Sequence, residues 1–141
     1  MTSSTSHLRR RSDLAELVTD STSPPRPSLR LVEDEAGVRT LVCRALPEEE
    51  VMDTEDAESA LVLMVVGWVD LVITDIALPR MDGCAPVARI RDRWPGVPVI
   101  AVFGYAGGKD VEEFGFDGFL HKPMDLQELR GTVADLLRGV T

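Results

Sequence analysis

The chain has 141 residues, of which 44% are hydrophobic and 28% are charged, as is usual for a globular domain with one packed core. Its net charge of -9 argues against nonspecific binding to DNA or RNA. The longest apolar run, residues 60–66, is too short to span a membrane. Two cysteines, Cys43 and Cys84, do not provide a disulfide framework. We therefore expect a cytoplasmic protein that binds neither nucleic acid nor membrane.

The first 28 residues differ in composition from the rest of the chain. They are rich in Ser, Thr, Pro and Arg and carry four Arg against three acids, whereas residues 29–141 carry 11 basic and 21 acidic residues. Such a segment buries too little apolar surface to offset the entropy of ordering it. We predict a flexible extension over residues 1–28 and one domain over residues 29–141. Leu14, Leu17 and Val18 lie at helical spacing, which leaves open a short helix that docks on a partner.

From residue 29 onward, apolar runs alternate with amphipathic patterns. Strands are predicted at residues 29–32, 51–54, 70–75, 97–103 and 116–120. Helices are predicted at residues 38–46, 56–66, 86–94, 110–114 and 126–137. Five strands that alternate with five helices indicate an α/β fold, in which a doubly wound parallel sheet has helices on both faces.

Charged residues follow three of the predicted strands. Glu33, Asp34 and Glu35 follow the first strand, Asp75 ends the third, and Lys122 follows the fifth. The carboxyl ends of parallel strands meet at one rim of the sheet, so these side chains should converge. Oxygen ligands without a cluster of His or Cys suit a hard cation such as Mg²⁺. A carboxylate there can also accept a phosphoryl group, whose charge Mg²⁺ and a lysine would stabilise.

Three motifs, in this order, resemble the receiver domain of bacterial two-component response regulators. They are LVEDE at residues 31–35, DLVITDIALPRMDG at residues 70–83, and the Lys122-Pro123 pair. The resemblance extends over residues 29–140 and implies a flavodoxin-like fold with five parallel strands. It also implies a phosphoryl donor, which would be a sensor histidine kinase or a histidine phosphotransfer protein.

The resemblance further implies a role for individual positions. Asp75 would be the phosphoacceptor, and Lys122 would contact the phosphoryl group. The Mg²⁺ ligands would be the side chains of Glu33, Asp34 and Asp75 and the carbonyl group of Ala77. Phe103 and Phe119 occupy the two switch positions of the family.

Phe103 departs from the family pattern, which has Ser or Thr at this position. The missing hydroxyl removes one hydrogen bond to a charged acceptor, which is worth about 1.5–3 kcal/mol. We expect no output domain after the receiver-like region, and two hypotheses remain. It is a single-domain regulator that acts on a downstream partner or serves as a phosphate sink, or it is a pseudo-receiver that docks independently of phosphorylation. A third hypothesis, a phosphohydrolase with an aspartate nucleophile, is disfavoured because Ala77 stands where such enzymes have a second Asp.

The second predicted helix is apolar on every side over residues 60–66, whereas a surface helix needs only one apolar stripe. Either the N-terminal extension covers it, or it exposes a patch for a partner or for a second copy of the chain. We favour an interaction surface, so dimerisation is one of the expected outcomes.

Overall fold

A five-stranded parallel sheet with helices on both faces organises the protein. The computed structural model describes residues 26–65, 67–76, 84–104 and 116–139, apart from the side chains of residues 57 and 84–87. The strands are β1 (Ser28–Val32), β2 (Glu50–Thr54), β3 (Leu71–Asp75), β4 (Val99–Phe103) and β5 (Gly118–His121). The described helices are α1 (Ala36–Ala45), α2 (Ala57–Val65), α3 (Cys84–Arg93) and α4 (Leu126–Gly139).

The strand order is β2-β1-β3-β4-β5, and every neighbouring pair is parallel. Leu29 pairs with Leu71, and Ile73 pairs with Ile100, so β1, β3 and β4 run side by side in the middle of the sheet. The order changes direction between β1 and β3, which creates a crevice at their carboxyl ends. The predicted doubly wound, flavodoxin-like sheet is confirmed. The predicted helix at residues 110–114 and the extension up to residue 25 lie outside the described residues.

Two apolar layers, one on each face of the sheet, hold the helices in place. The β3 strand is buried along its whole length, which explains its continuous apolar run. The layer under α1 and α4 includes Leu31, Val42, Ile73, Leu129 and Val133. The layer under α2 and α3 includes Met64, Val72, Ile90, Trp94 and Val99. Helices therefore cover both faces of the sheet, and polar groups lie at the two ends of the strands.

Caps and proline define several helix ends. The Asp56 carboxylate accepts a hydrogen bond from the Ser59 amide (2.7 Å) ahead of α2, and the Asp125 carboxylate accepts one from the Gln127 amide (2.8 Å) ahead of α4. Pro47 follows the end of α1, where a helix cannot continue. Within the described ranges, no helix combines the length and the apolar composition that crossing a bilayer requires.

Arg30 lies buried at the amino end of the sheet, on the side away from the acidic rim. Its guanidinium donates to the hydroxyl of Ser28 (2.8 Å) and approaches the carbonyl oxygens of Leu63 (3.4 Å) and Trp68 (3.3 Å). The Ser28 amide in turn donates to the Asp70 carboxylate (2.8 Å). This polar cluster joins β1 to the loop after α2 and satisfies groups that would otherwise be costly to bury.

Gly118 allows α4 to approach β5 closely. A Cβ atom at this position would lie 3.0 Å from Cγ2 of Thr132 and 3.3 Å from Cδ1 of Leu136. Any side chain at this position would require Thr132 and Leu136 to shift, because these contacts are tighter than side chains normally make. The glycine therefore sets the spacing of the last strand and the last helix.

Candidate functional site

The carboxyl ends of β1, β3 and β5 bring the predicted acids and the lysine to one rim. Asp75 is the last residue of β3, Glu33 follows β1 directly, and Lys122 follows β5 directly. The Lys122 amide donates to the Phe103 carbonyl oxygen (2.9 Å), which fixes the end of β5 against β4. From this position the lysine side chain extends back across the rim to the acids.

The Lys122 ammonium contacts three carboxylates. Its Nζ atom lies 2.7 Å from Oδ2 of Asp75, 3.0 Å from Oε1 of Glu33 and 3.7 Å from Oε1 of Glu35. Burial of the ammonium would lower the pKa of Lys122, but its hydrogen bonds to Asp75 and Glu33 outweigh burial and raise that pKa. The lysine therefore stays charged and holds the two buried acids together.

Glu33 is the acid most strongly affected by its surroundings. Only 2% of its surface is exposed, and its carboxylate accepts hydrogen bonds from the Glu35 amide (3.1 Å) and from Lys122 (3.2 Å). Burial raises the pKa of Glu33, and the nearby Asp75 charge adds to that rise, while the bonds from Glu35 and Lys122 oppose it. The ionised carboxylate is thus less favourable in the folded protein than in the unfolded chain.

The acidic segment after β1 provides oxygen atoms for a divalent cation. Carboxylate oxygens of Glu33, Asp34 and Glu35 lie within 4.8 Å of one another. Ligands at about 2.1 Å from Mg²⁺ are about 3–4 Å apart, so small side-chain movements would bring these oxygens to coordination distance. Asp34 and Glu35 are exposed, which leaves room for the waters that Mg²⁺ retains. These residues fit a magnesium ion, whereas Ala77, the predicted carbonyl ligand, lies outside the described residues.

Arg39 supports the acidic segment, a contact that the sequence patterns did not reveal. Its NH1 group donates to the Glu33 carbonyl oxygen (2.8 Å), and its Nε atom pairs with the Asp53 carboxylate (3.3 Å). It therefore fixes the turn after β1 against the end of β2. Its position six residues after Glu33, one turn into a helix, is the only signal that the sequence offers for this role.

Phe103 belongs to an aromatic cluster at the β5 edge of the sheet. Its ring centroid lies 4.6 Å from that of His121 and 6.5 Å from that of Phe119, and Phe119 lies 6.1 Å from Phe116. Phe103 pairs with His121 in the sheet register, so their rings share one face. Phe119 is 40% exposed, and His121 is exposed as well. The two predicted switch positions are therefore in contact with each other at the surface.

Replacing Glu33 by glutamine should stabilise the metal-free protein. The amide has nearly the same shape and can still accept the Glu35 hydrogen bond, but it removes an unfavourable buried charge. We expect E33Q to have a higher Tm than wild type at pH 7, because the folded protein no longer holds the carboxylate charge that burial disfavours. The affinity for Mg²⁺ should fall.

The difference in Tm between E33Q and wild type should depend on pH, because the pKa of Glu33 in the folded protein is raised above its ordinary value of 4.5. Below pH 4.5 the wild-type carboxyl is protonated in both states and the difference in Tm should be small. Above the folded pKa the wild type carries the full penalty, so the difference should be largest there. Thermal unfolding from pH 4 to 8 measures this, with the exposed E55Q as control; a Tm below that of wild type at pH 7 would contradict the argument.

Comparisons with known proteins agree with this geometry. A family model for the response regulator receiver domain matches residues 29–134. The sensor kinase CckA of Brucella abortus is 35% identical over 114 residues, which are 76% of this chain and 12% of the kinase. The transcriptional regulatory protein GlrR of Escherichia coli is 32% identical over 114 residues, which are 77% of this chain and 26% of that protein.

This chain matches a solved structure over nearly the whole length of the solved chain. The signal receiver domain of an HD domain-containing protein from Pseudomonas fluorescens has a TM-score of 0.76 and 30% identity. The match covers 82% of this chain and 98% of the solved chain. The two curated relatives named above are much longer than the region they share with this chain. By sequence and by structure, the chain belongs to the receiver domain family of the response regulators of two-component signalling.

Proposed function

We propose that Asp75 accepts a phosphoryl group from a phosphohistidine of a sensor kinase or phosphotransfer protein, and that this transfer requires Mg²⁺. The observation that carries the proposal is the 2.7 Å contact between Lys122 Nζ and Asp75 Oδ2, beside the oxygen cluster of the acidic segment. A carboxylate nucleophile, a cation for the phosphoryl oxygens and a set of hard ligands are the parts that phosphoryl transfer needs.

In the proposed transfer, a carboxylate oxygen of Asp75 attacks phosphorus. A P–O bond forms, and the P–N bond to the donor imidazole breaks as the nitrogen leaves with the bonding electron pair. Lys122 would exchange its bond to Asp75 for one to a phosphoryl oxygen and so stabilise the charge that moves to the protein. Bound Mg²⁺, held by Glu33, Asp34, Asp75 and the carbonyl of Ala77, would neutralise part of the phosphoryl charge.

The product stays attached to Asp75, so we expect one phosphoryl group per chain and no turnover of an external substrate. The phosphorylated domain, residues 29–141, would then act on a downstream protein partner. The extension predicted over residues 1–28 would end before β1, which starts at Ser28, and the cytoplasmic location expected from the sequence stays a prediction.

Phosphorylation by a small donor tests this proposal without knowledge of the kinase. Incubation with acetyl phosphate and Mg²⁺ should add the mass of one phosphoryl group, detected by intact-protein mass spectrometry, and hydroxylamine should remove it. Chelation of Mg²⁺ by EDTA should prevent the modification. An unmodified protein, or a modification that persists in EDTA, would overturn the proposal.

Phe103 should weaken the response to phosphorylation, because it provides no hydroxyl for the phosphoryl group. We expect F103T to bind beryllofluoride, a mimic of the phosphoryl group, about 10- to 150-fold more tightly than wild type, since a hydrogen bond to a charged acceptor is worth about 1.5–3 kcal/mol. The control is F103V, which has the shape of threonine but no hydroxyl. Titration followed by NMR measures both affinities, and equal affinities of F103T and F103V would show that the hydroxyl has no effect at this position.

A further inference from the structure

An apolar groove lies between α2 and α3, on the face of the sheet opposite α1 and α4. It has a volume of about 340 Å³, and its apolar side is formed by Leu61, Val62 and Val65 of α2. Its other side is formed by α3, where Arg89 and Arg93 lie at the edge, and by the buried Trp94 that follows that helix. The groove is separate from the acidic rim, because none of the proposed phosphorylation residues lines it.

The α2 side of the groove exposes more apolar surface than a helix in water normally does. Met64 and Ala60 point into the core and are 0% and 1% exposed, whereas Val62 is 63% exposed and Val65 is 55% exposed. Two neighbouring valines that face solvent on the outer side of one helix lose the stabilisation that burial would give them. This arrangement indicates that another apolar segment packs here.

The charges around the groove favour an apolar segment that carries acids over a second copy of this domain. Residues 29–141 carry 11 basic and 21 acidic residues, so two copies of this domain would repel each other. The groove edge is an exception in this acidic domain, because Arg89 and Arg93 are exposed there with only Asp92 as an acidic neighbour in the lining. An apolar segment that carries acids of its own would match both the valines and the arginines.

The N-terminal extension contains such a segment. Between residues 13 and 20, Leu14, Leu17 and Val18 share one side at helical spacing. The acids Asp13, Glu16 and Asp20 have the spacing of an adjoining side of the same helix. Alone, a helix this short is marginal, so it would form only against a surface that buries its apolar side.

The topology brings this segment within reach of the groove. In a parallel α/β unit, the carboxyl ends of α2 and α3 lie at the same rim as the amino ends of the strands, where the chain enters β1 at Ser28. Arg26 is held at this rim by bonds to the carbonyl oxygens of Pro47 (2.9 Å) and Glu49 (2.7 Å). Residues 21–25, which join this segment to Arg26, span up to about 18 Å when extended, which is more than the width of one helix.

We propose that residues 13–20 bind in the groove between α2 and α3 of their own chain. Leu14, Leu17 and Val18 pack on Val62 and Val65, and the acids of the segment lie beside Arg89 and Arg93. Because the segment is tethered, its effective concentration at the groove is on the order of millimolar, so a small contact is enough to keep it bound. The receiver domain thus covers its exposed valines with its own extension and releases the groove when a partner competes for it.

Paramagnetic NMR on the full chain tests this proposal. A nitroxide is attached at S12C in a chain that also carries C43A and C84A, and the methyl groups are isotope-labelled. We expect the methyl signals of Val62 and Val65 to lose more than half of their intensity, while those of Val42, on the opposite face, keep theirs. Unchanged signals of Val62 and Val65, or equal losses on both faces, would overturn the proposal.

Three further samples distinguish this contact from nonspecific signal loss and from association between chains. The double variant L14D/L17D should restore the valine signals, whereas L8D, which lies outside the segment, should not. A mixture of spin-labelled chains without isotopes and isotope-labelled chains without the nitroxide should show no loss, because the contact is within one chain. A loss of the valine signals in the mixture would assign the groove to a second copy and contradict the proposal.

Discussion

The D75N variant is expected to accept no phosphoryl group from acetyl phosphate or from a phosphohistidine donor. The amide keeps the size of the aspartate side chain and its position at the end of β3, but it lacks a nucleophilic carboxylate oxygen. Loss of a nucleophile removes nearly all covalent chemistry at a site, so we expect a decrease of more than about 100-fold in acyl phosphate. Intact-protein mass spectrometry after incubation with acetyl phosphate and Mg²⁺ measures it.

A matched control separates chemistry from folding in this experiment. D135N changes an aspartate on the exposed surface of α4, where it pairs with Arg138, and should be phosphorylated to the wild-type extent. D75N itself should unfold at a temperature equal to or higher than wild type, because one charge leaves a crowded acidic rim. If D75N still acquires a hydroxylamine-sensitive phosphoryl group, another residue is the acceptor and the assignment of Asp75 is wrong.

The K122M variant is expected to lose stability and to gain affinity for Mg²⁺. Methionine has a similar length but no charge, so Glu33 and Asp75, which are 2% and 3% exposed, would face each other without the ammonium between them. Removing one partner of a fully buried ion pair destabilises a protein by about 3–5 kcal/mol. Because Lys122 is 25% exposed and water screens part of the interaction, we expect about 2–3 kcal/mol here.

Magnesium should restore much of the stability that K122M loses, because the bound cation would neutralise the charge of Glu33 and Asp75. Urea unfolding with and without Mg²⁺ measures the two stabilities, and K122R, which keeps the charge, should resemble wild type. Phosphorylation of K122M should remain low even when Mg²⁺ is saturating, since the metal cannot replace a donor that contacts the phosphoryl oxygen. A K122M protein as stable as wild type without Mg²⁺ would show that the ammonium does not hold the buried acids together.

The sequence predicted the sheet well where burial dictates the pattern. The β3 strand reads as a continuous apolar run because both of its faces are covered, and the prediction at residues 70–75 differs from Leu71–Asp75 by one residue. The last strand is predicted at residues 116–120, which begins two residues before Gly118–His121 and ends one residue before it. Phe116 is buried and apolar like a strand residue, although it precedes the strand, so apolarity alone could not fix that boundary.

The candidate site followed from topology, because the ends of parallel strands must meet. Glu33, Asp75 and Lys122 do lie together, as the sequence predicted, while Ala77 lies outside the described residues. What the sequence could not supply was the direction of individual side chains. The contact of Arg39 with the Glu33 carbonyl and the packing of Phe103 on His121 depend on rotamers and on strand register, which no linear motif records.

Gly118 connects the packing of α4 on β5 with the strand end that carries Lys122. Lys122 stands four residues further along the chain, so we expect a substitution that moves α4 away from β5 to disturb the contact of its ammonium with Asp75. An added side chain should therefore be tolerated less well at Gly118 than at Gly37, where an added Cβ meets nothing within 4 Å.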